Sequence, residues 1–331
     1  MKAIIPVAGA GTRLRPHTYT QPKALIPVGG KTILSFIIDD LMEAGVHDFI
    51  FVIGYLGEKI KEYVQKHYPD LKAEFVEQKN REGLGQAIWL TKDLITANDP
   101  LIIVLGDTIL DVDWKDVVNC QLNCLGVKKV DDPRSFGLAE LNDKNEIIRV
   151  VEKPNIPKTN LALVGLYKIG STAALMEALA FNITHNIRTK DEFHLTDALQ
   201  RMIDNGIIFN PTKVNNWFDC GKKDVLLETN SILLKRMADK GLQPFHFPNT
   251  IIIPPVAIGK DCKIDGSIIG PNVAIGEGSV VNHSIIKNSI IGDFAKLEQV
   301  VLHESVVGSD AMIKGMSQSL NIGDNTEIDL S

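Results

Sequence analysis

Through the first two-thirds of the chain, apolar runs alternate with stretches whose apolar residues recur every three or four positions. KAIIPVA, DFIFVIG, AEFVEQ and PLIIVLGD predict strands, the last being the most hydrophobic. TILSFIIDDLMEAG, GEKIKEYVQKHY and LGQAIWLTKDLI predict helices, the first stopped by Gly45. Buried strands separated by helices imply a largely parallel sheet covered on both faces, with right-handed connections. The middle is less regular. LNCLGVKKV, FGLAELN, EIIRVVEKP and LALVGLYKI predict strands, some of them antiparallel, and STAALMEALAF and EFHLTDALQRMIDNG predict helices. A last helix, DVLLETNSILLKRMADKG, closes this unit.

The pattern changes after Val256. Ile258, Ile264, Ile269, Ile275, Val281, Ile286, Ile291, Leu297, Leu302, Val307 and Ile313 recur at steps of five or six, often with Gly behind them. That is the hexapeptide signature of a parallel β-helix, one aliphatic side chain per short strand pointing inward. The expected organisation is a doubly wound α/β domain over 1–241 with a mixed, mostly parallel sheet, a linker over 242–255, and a left-handed β-helix over 256–331. Phe245, His246 and Phe247 are expected to seat the tail on the first domain.

With 331 residues, 44% hydrophobic and 23% charged, the chain has ample material for such cores. The net charge of −6 argues against a protein devoted to nucleic acid or anionic lipid, and no apolar run is long enough to span a membrane. Cys120, Cys124, Cys220 and Cys262 show no paired metal spacing and are read as free thiols, which fits a reducing cytoplasm.

The candidate chemistry begins at GAGTRL, Gly9 to Leu14, directly behind the first strand. A Walker loop needs a Lys-Ser/Thr pair and a dinucleotide fingerprint a third Gly, and this loop has neither. It carries Arg13 instead, with Lys23 ten residues on. Backbone N–H groups at the carboxyl edge of such a sheet can wrap a triphosphate, and two cations suit a reaction that builds charge on phosphorus. Asp107 and Asp219 each end an apolar stretch, and two carboxylates from distant strands suit Mg²⁺.

At these residues the sequence resembles the sugar-1-phosphate nucleotidylyltransferases, or NDP-sugar pyrophosphorylases. It is most similar to their glucose-1-phosphate thymidylyltransferase and uridylyltransferase branch, in the long form with a hexapeptide tail. The motifs are Gly9-Ala10-Gly11-Thr12-Arg13-Leu14, Pro22-Lys23-Ala24-Leu25-Ile26-Pro27, Leu105-Gly106-Asp107, Glu152-Lys153-Pro154, Val164-Gly165-Leu166-Tyr167 and Trp217-Phe218-Asp219-Cys220-Gly221. Ala8 departs from the Gly that many members carry, narrowing the loop slightly.

The resemblance implies that a nucleoside triphosphate and a sugar 1-phosphate give an NDP-sugar and pyrophosphate. Ala8, Gly9, Ala10, Gly11, Thr12 and Arg13 would hold the triphosphate, and Gln78 and Gly83, in EQKNREGLGQA with Gln86, would read the base. Gly137, Glu152, Lys153, Val164 and Glu192 would receive the sugar phosphate. Arg13, Lys23, Asp107 and Lys153 would carry the catalytic charge, and Asp107 and Asp219 the Mg²⁺. GLGQA favours dTTP or UTP over GTP, and glucose 1-phosphate is the favoured sugar. A homo-oligomer, trimeric or higher, is expected through the β-helix. The alternatives are a regulatory or structural homologue without turnover, and a bifunctional N-acetylglucosamine-1-phosphate uridylyltransferase whose tail transfers an acyl group with His283 or His303.

Overall fold

Long apolar runs end up where sequence patterning puts them, in the middle of a sheet. A computed structural model describes residues 1–239 and 245–315. Nine strands, numbered in chain order, form the main sheet: β1 (Lys2–Pro6), β2 (Asp48–Ile53), β3 (Lys72–Glu77), β4 (Leu101–Val104), β5 (Asn123–Lys129), β6 (Gly137–Leu141), β7 (Ile147–Glu152), β8 (Leu161–Ile169) and β9 (Phe209–Lys213). Their spatial order is β3-β2-β1-β4-β8-β5-β9-β7-β6. The first four are mutually parallel. Beyond β4 the sheet is mixed: β8 runs antiparallel to β4 and β5, β9 parallel to β5, and β7 antiparallel to β9 and β6. Ile4, Leu101, Ile103, Leu125 and Ile169 are fully buried in its core.

The helices are α1 (Ile33–Glu43), α2 (Gly57–His67), α3 (Leu84–Trp89), α4 (Trp114–Asn119), α5 (Thr172–Thr184), α6 (Leu195–Asp204) and α7 (Lys223–Asp239). Two are shorter than the periodicity predicts. The helix expected through residue 95 ends at Trp89, because the buried Thr91 hydroxyl donates back to the Ile88 carbonyl at 2.7 Å and offers the chain a competing turn. The one expected from Glu192 starts at Leu195. His194 is its N-cap, and the Asp197 carboxylate reaches back to the His194 N–H.

The chain divides into two compact units: one holds Met1–Pro27 and Lys31–Leu226, the other Val28–Gly30 and everything from Leu227. In the second unit, twelve short strands form three parallel four-stranded sheets, consistent with the expected left-handed β-helix. Its turn is 17, 17 and then 16 residues long: Ile251 pairs with Ile268, Ile268 with Ile285, and Ile285 with Val301. The repeat is therefore shorter than three regular hexapeptides. Ile264, Ile269, Val281, Ile286, Ile291 and Leu297 fill the prism.

Corners are made by residues of positive φ, Asn272, His283, Asn288 and Phe294 among them. Buried serines close backbone bonds between turns: Ser284 Oγ accepts from the Val300 N–H at 3.2 Å, and Ser279 Oγ from the Ala295 N–H at 3.1 Å. The stack starts earlier than its expected boundary at 256, since Ile251–Ile252 already pairs within it. Phe245 and Phe247 pack against the stack's own core. Ile251 and Ile252 extend the stack by one strand. The boundary at 241 and the last residues of the tail, 316–331, lie outside the described residues.

Candidate active site

The site grows from the carboxyl ends of β1 and β4, neighbours in the sheet. Behind β1 the chain turns through Val7 to Gly11 and enters a 3₁₀ turn, Thr12–Leu14. Behind β4, Gly106 donates from its N–H to the Pro6 carbonyl at 3.3 Å. A Cβ there would meet the Pro6 carbonyl oxygen at 3.0 Å and press into Val7, so the two loops can approach this closely only with glycine at that position.

Asp219 reaches the same edge by a different route. The strands Thr108–Asp111 and Asn216–Asp219 form an antiparallel ribbon that pairs Asp219 with Thr108. This sets Asp219 beside Asp107 although 112 positions separate them in the chain. Lys23, in the 3₁₀ turn Lys23–Leu25, sends its ammonium between them, 2.6 Å from Asp107 Oδ2 and 3.4 Å from Asp219 Oδ1. Its side chain is only 10% exposed, so this charge is stabilised by these carboxylates rather than by water. Arg13 Nη2 lies 3.7 Å from Asp219 Oδ2 and is much more open.

These residues border a cavity of about 490 Å³, the size of an ordinary small-molecule site. Of the expected residues, Ala8, Gly9, Gly11, Thr12, Arg13, Lys23, Gln78, Gly83, Asp107 and Glu192 line it. Ala10 does not; it lies in the same loop. Asp219 joins the group through Lys23 and Arg13.

Gln78 is buried at the end of β3. Its amide donates to the Gly83 carbonyl at 3.0 Å and to Gln86 Oε1 at 2.7 Å, which fixes the loop between β3 and α3. The far side of that loop is zipped to the start of α6: Phe193 N–H donates to Glu82 O and Gly85 N–H to Phe193 O, both at 2.7 Å. Gly83 has φ +110°, and a Cβ there would stand 2.5 Å from the Phe193 carbonyl oxygen. Gly83→Ala is therefore expected to cost about 2–3 kcal/mol of stability, seen as a lower Tm, and to weaken nucleotide binding. An unchanged melt would show that the loop yields.

Gly137, Glu152, Lys153 and Val164 form a second group outside the cavity lining. Glu152 Oε2 accepts from Thr196 Oγ1 at 3.0 Å and would lie 3.1 Å from a Cβ on Gly137. Lys153 Nζ is 3.4 Å from Glu152 Oε1. Val164 is buried in β8. His194 bridges the two groups, its Nδ1 at 3.7 Å from Glu152 and its Nε2 at 4.0 Å from Glu192. Burial holds the neighbouring Asp197 carboxyl above its ordinary range, against the opposing hydrogen bond from Thr189, and the Tyr167 hydroxyl, buried near the Glu152 charge, is pushed up as well.

Sequence reasoning missed His194, Thr196 and Arg81. Arg81 lines the cavity, as does Gly221, the last residue of the Trp217–Gly221 motif. Arg81 stands inside the segment singled out for base reading, but only the loop's path separates it from Lys79 or Asn80. Among the described residues no three metal-ligating side chains converge. The two carboxylates do converge on one cation, the Lys23 ammonium, and an all-oxygen pair with room for phosphate beside it is the donor set that Mg²⁺ prefers. The residues present therefore fit a magnesium ion.

Comparison with known proteins agrees with this geometry. The nucleotidyl transferase family model matches residues 2–236. A bifunctional protein GlmU of Methanococcus vannielii is 32% identical over 335 residues, spanning 86% of this chain and 78% of its own. A glucose-1-phosphate thymidylyltransferase of Streptomyces griseus is 29% identical over 360 residues and spans both chains completely. Among solved structures, a UDP-glucose pyrophosphorylase complexed with UDP-glucose superposes with a TM-score of 0.61 at 25% identity, covering 71% of this chain and 98% of that one.

Proposed function

The chain belongs to the nucleotidyl transferase family, and we propose that it joins a nucleoside triphosphate to a sugar 1-phosphate, releasing pyrophosphate and an NDP-sugar. The observation that carries this reading is the convergence of Asp107 and Asp219 on Lys23 at the rim of a glycine-lined cavity. The preferred substrates are dTTP or UTP and glucose 1-phosphate, supported by the thymidylyltransferase relative and the UDP-glucose-bound neighbour.

In this mechanism no side chain becomes covalent. A phosphate oxygen of the sugar 1-phosphate attacks the α-phosphorus in line, a new P–O bond forms, and the bond to the β-phosphate oxygen breaks as pyrophosphate leaves. The loop Ala8–Arg13 holds the triphosphate, with Arg13 on the departing pyrophosphate. Gln78 and Gly83 meet the base. Lys153 grips the incoming phosphate, and Glu152, with Gly137, Val164 and Glu192, receives the sugar. Asp107 and Asp219 would hold Mg²⁺, which when bound neutralises charge on the phosphates. Lys23 would then turn from the carboxylates toward the α-phosphate.

We further propose a homo-oligomer, trimeric or higher, built through the β-helix. Ile251, Ile285 and Val301 stack in register on the outside of one sheet, 60%, 44% and 75% exposed, an aliphatic stripe that a second copy would cover. The setting we propose is a reducing cytoplasm, in keeping with four cysteines that form no disulfide; among the described residues no helix is long and apolar enough to cross a membrane. His283 and His303 are exposed at the surface of the stack, and they lend the acyltransferase alternative no support.

A matrix of four nucleoside triphosphates against glucose, N-acetylglucosamine, galactose and mannose 1-phosphates, with Mg²⁺ and pyrophosphate detection, tests this reading. Release with one base and one sugar in strong excess is expected. No release with any pair would refute it.

A further inference from the structure

The cavity has three cations on its lining, Arg13, Lys23 and Arg81, and they are not equivalent. Lys23 is held between Asp107 and Asp219, and Arg13 leans on Asp219. Arg81 has no carboxylate within salt-bridge distance among the described residues. Its guanidinium instead lies 5.9 Å from the centre of the Tyr55 ring, the outer edge of a cation–π contact. In the free protein it is the cavity's one standing positive charge among those described.

Its position is set from two sides. Arg81 stands between the buried Gln78, whose N–H donates to Ile53 O at 2.8 Å, and Glu82, whose carbonyl is bonded to Phe193 and whose carboxylate pairs with Arg188 at 2.9 Å. Tyr55 is tied to the phosphate loop itself. Its N–H donates to Ala8 O at 3.3 Å, and its hydroxyl to Tyr19 O at 3.1 Å. Tyr55 is therefore bonded through its backbone to Ala8, the residue that opens the phosphate loop, and Arg81 lines the same cavity as that loop, with its planar fork held by no carboxylate among the described residues.

We propose that Arg81, braced by Tyr55, is a binding residue for the phosphate chain of the incoming nucleotide, the charge that captures it before Lys23 is released from its carboxylates. This rests on the nucleotidyl-transfer reading of the cavity. It separates the work of two neighbours in one loop: Gln78 faces the base, Arg81 the phosphates. Arg13 and Lys23 are then left for the charge that develops during transfer.

The test is calorimetric binding of dTTP and thymidine, and of UTP and uridine, to the full-length wild type and to R81A, R81K, Y55F and Y55L. For R81A the triphosphate is expected to bind about tenfold more weakly, the order of one charge-assisted bond, with a shallower dependence on salt. Nucleoside binding should stay within twofold. R81K should recover part of the loss, because it restores charge without the fork. Y55F should resemble wild type and Y55L should fall between wild type and R81A. Equal losses for triphosphate and nucleoside would assign Arg81 to the base and overturn the proposal, as would triphosphate affinity unchanged in R81A. If wild type binds triphosphate in this manner but releases no pyrophosphate with any sugar phosphate, the transfer reading fails while the role of Arg81 stands.

Discussion

Asp107→Asn and Asp219→Asn are each expected to lower turnover by on the order of a thousandfold or more, with the fold retained. Each change keeps the size and planarity of the side chain and removes one negative charge from a pair that faces a single cation. A hard divalent ion loses an anionic oxygen ligand for which an amide oxygen is a poor exchange. The free protein feels the change too, since the Lys23 ammonium is nearly excluded from water and loses half of its compensation. A lowered Tm with a cooperative melt is therefore part of the expectation. The measurement is initial rate across a Mg²⁺ titration, with a thermal melt beside it. Near-normal rates in both variants would remove Asp107 and Asp219 from the metal site.

Lys23→Ala should reduce kcat by on the order of 3 kcal/mol, about a hundredfold, and raise the KM for nucleotide much less. The geometry adds a second, independent readout. Lys23 occupies the point between the two carboxylates, so it competes with any divalent ion that would sit there. Its removal leaves Asp107 and Asp219 with only the more open Arg13, 3.7 Å from Asp219, as a counter-charge. Without nucleotide, Lys23→Ala should bind Mg²⁺ or Mn²⁺ more tightly than wild type, even as it turns over more slowly. Calorimetric titration with each ion decides this. Weaker or equal metal affinity would mean that Lys23 does not guard the site, and a change confined to KM would limit it to ground-state binding.

What could be read beforehand divides by the range of the interaction. The strands announced themselves because β4 throughout, and β1 from Ala3 to Ile5, are buried and apolar. The cation-rich loop, Asp107 and Asp219 were visible as residue types at strand ends. That Asp219 sits on Lys23 depended on a ribbon pairing across the whole first unit, which no local pattern encodes. Some of the middle strands were expected to run antiparallel, but that β8 in the centre of the sheet is one of them was hidden, since its run of apolar residues is the same whichever way it points. Arg81 and His194 went unnoticed for opposite reasons. Arg81 is one polar residue among several in a loop. His194 is a buried N-cap whose neighbours Glu152 and Glu192 come together only in three dimensions. The short α3 shows a local hydroxyl overruling periodicity.

The 16- and 17-residue turns of the stack bear on how such a tail can change over generations. Each strand is bonded to the strand one turn earlier and one turn later, and each buried serine serves the turn next to its own. Losing or duplicating one complete turn leaves every remaining residue on its side of the wall, still facing a like partner. Losing half as much, about eight residues, would bring the outward Glu277 into the place of Ile269, or Gln299 into that of Ile291, both in the aliphatic lining. Heritable changes of length in this region are thus quantised: mutation proposes any number of residues, and the prism accepts whole circuits.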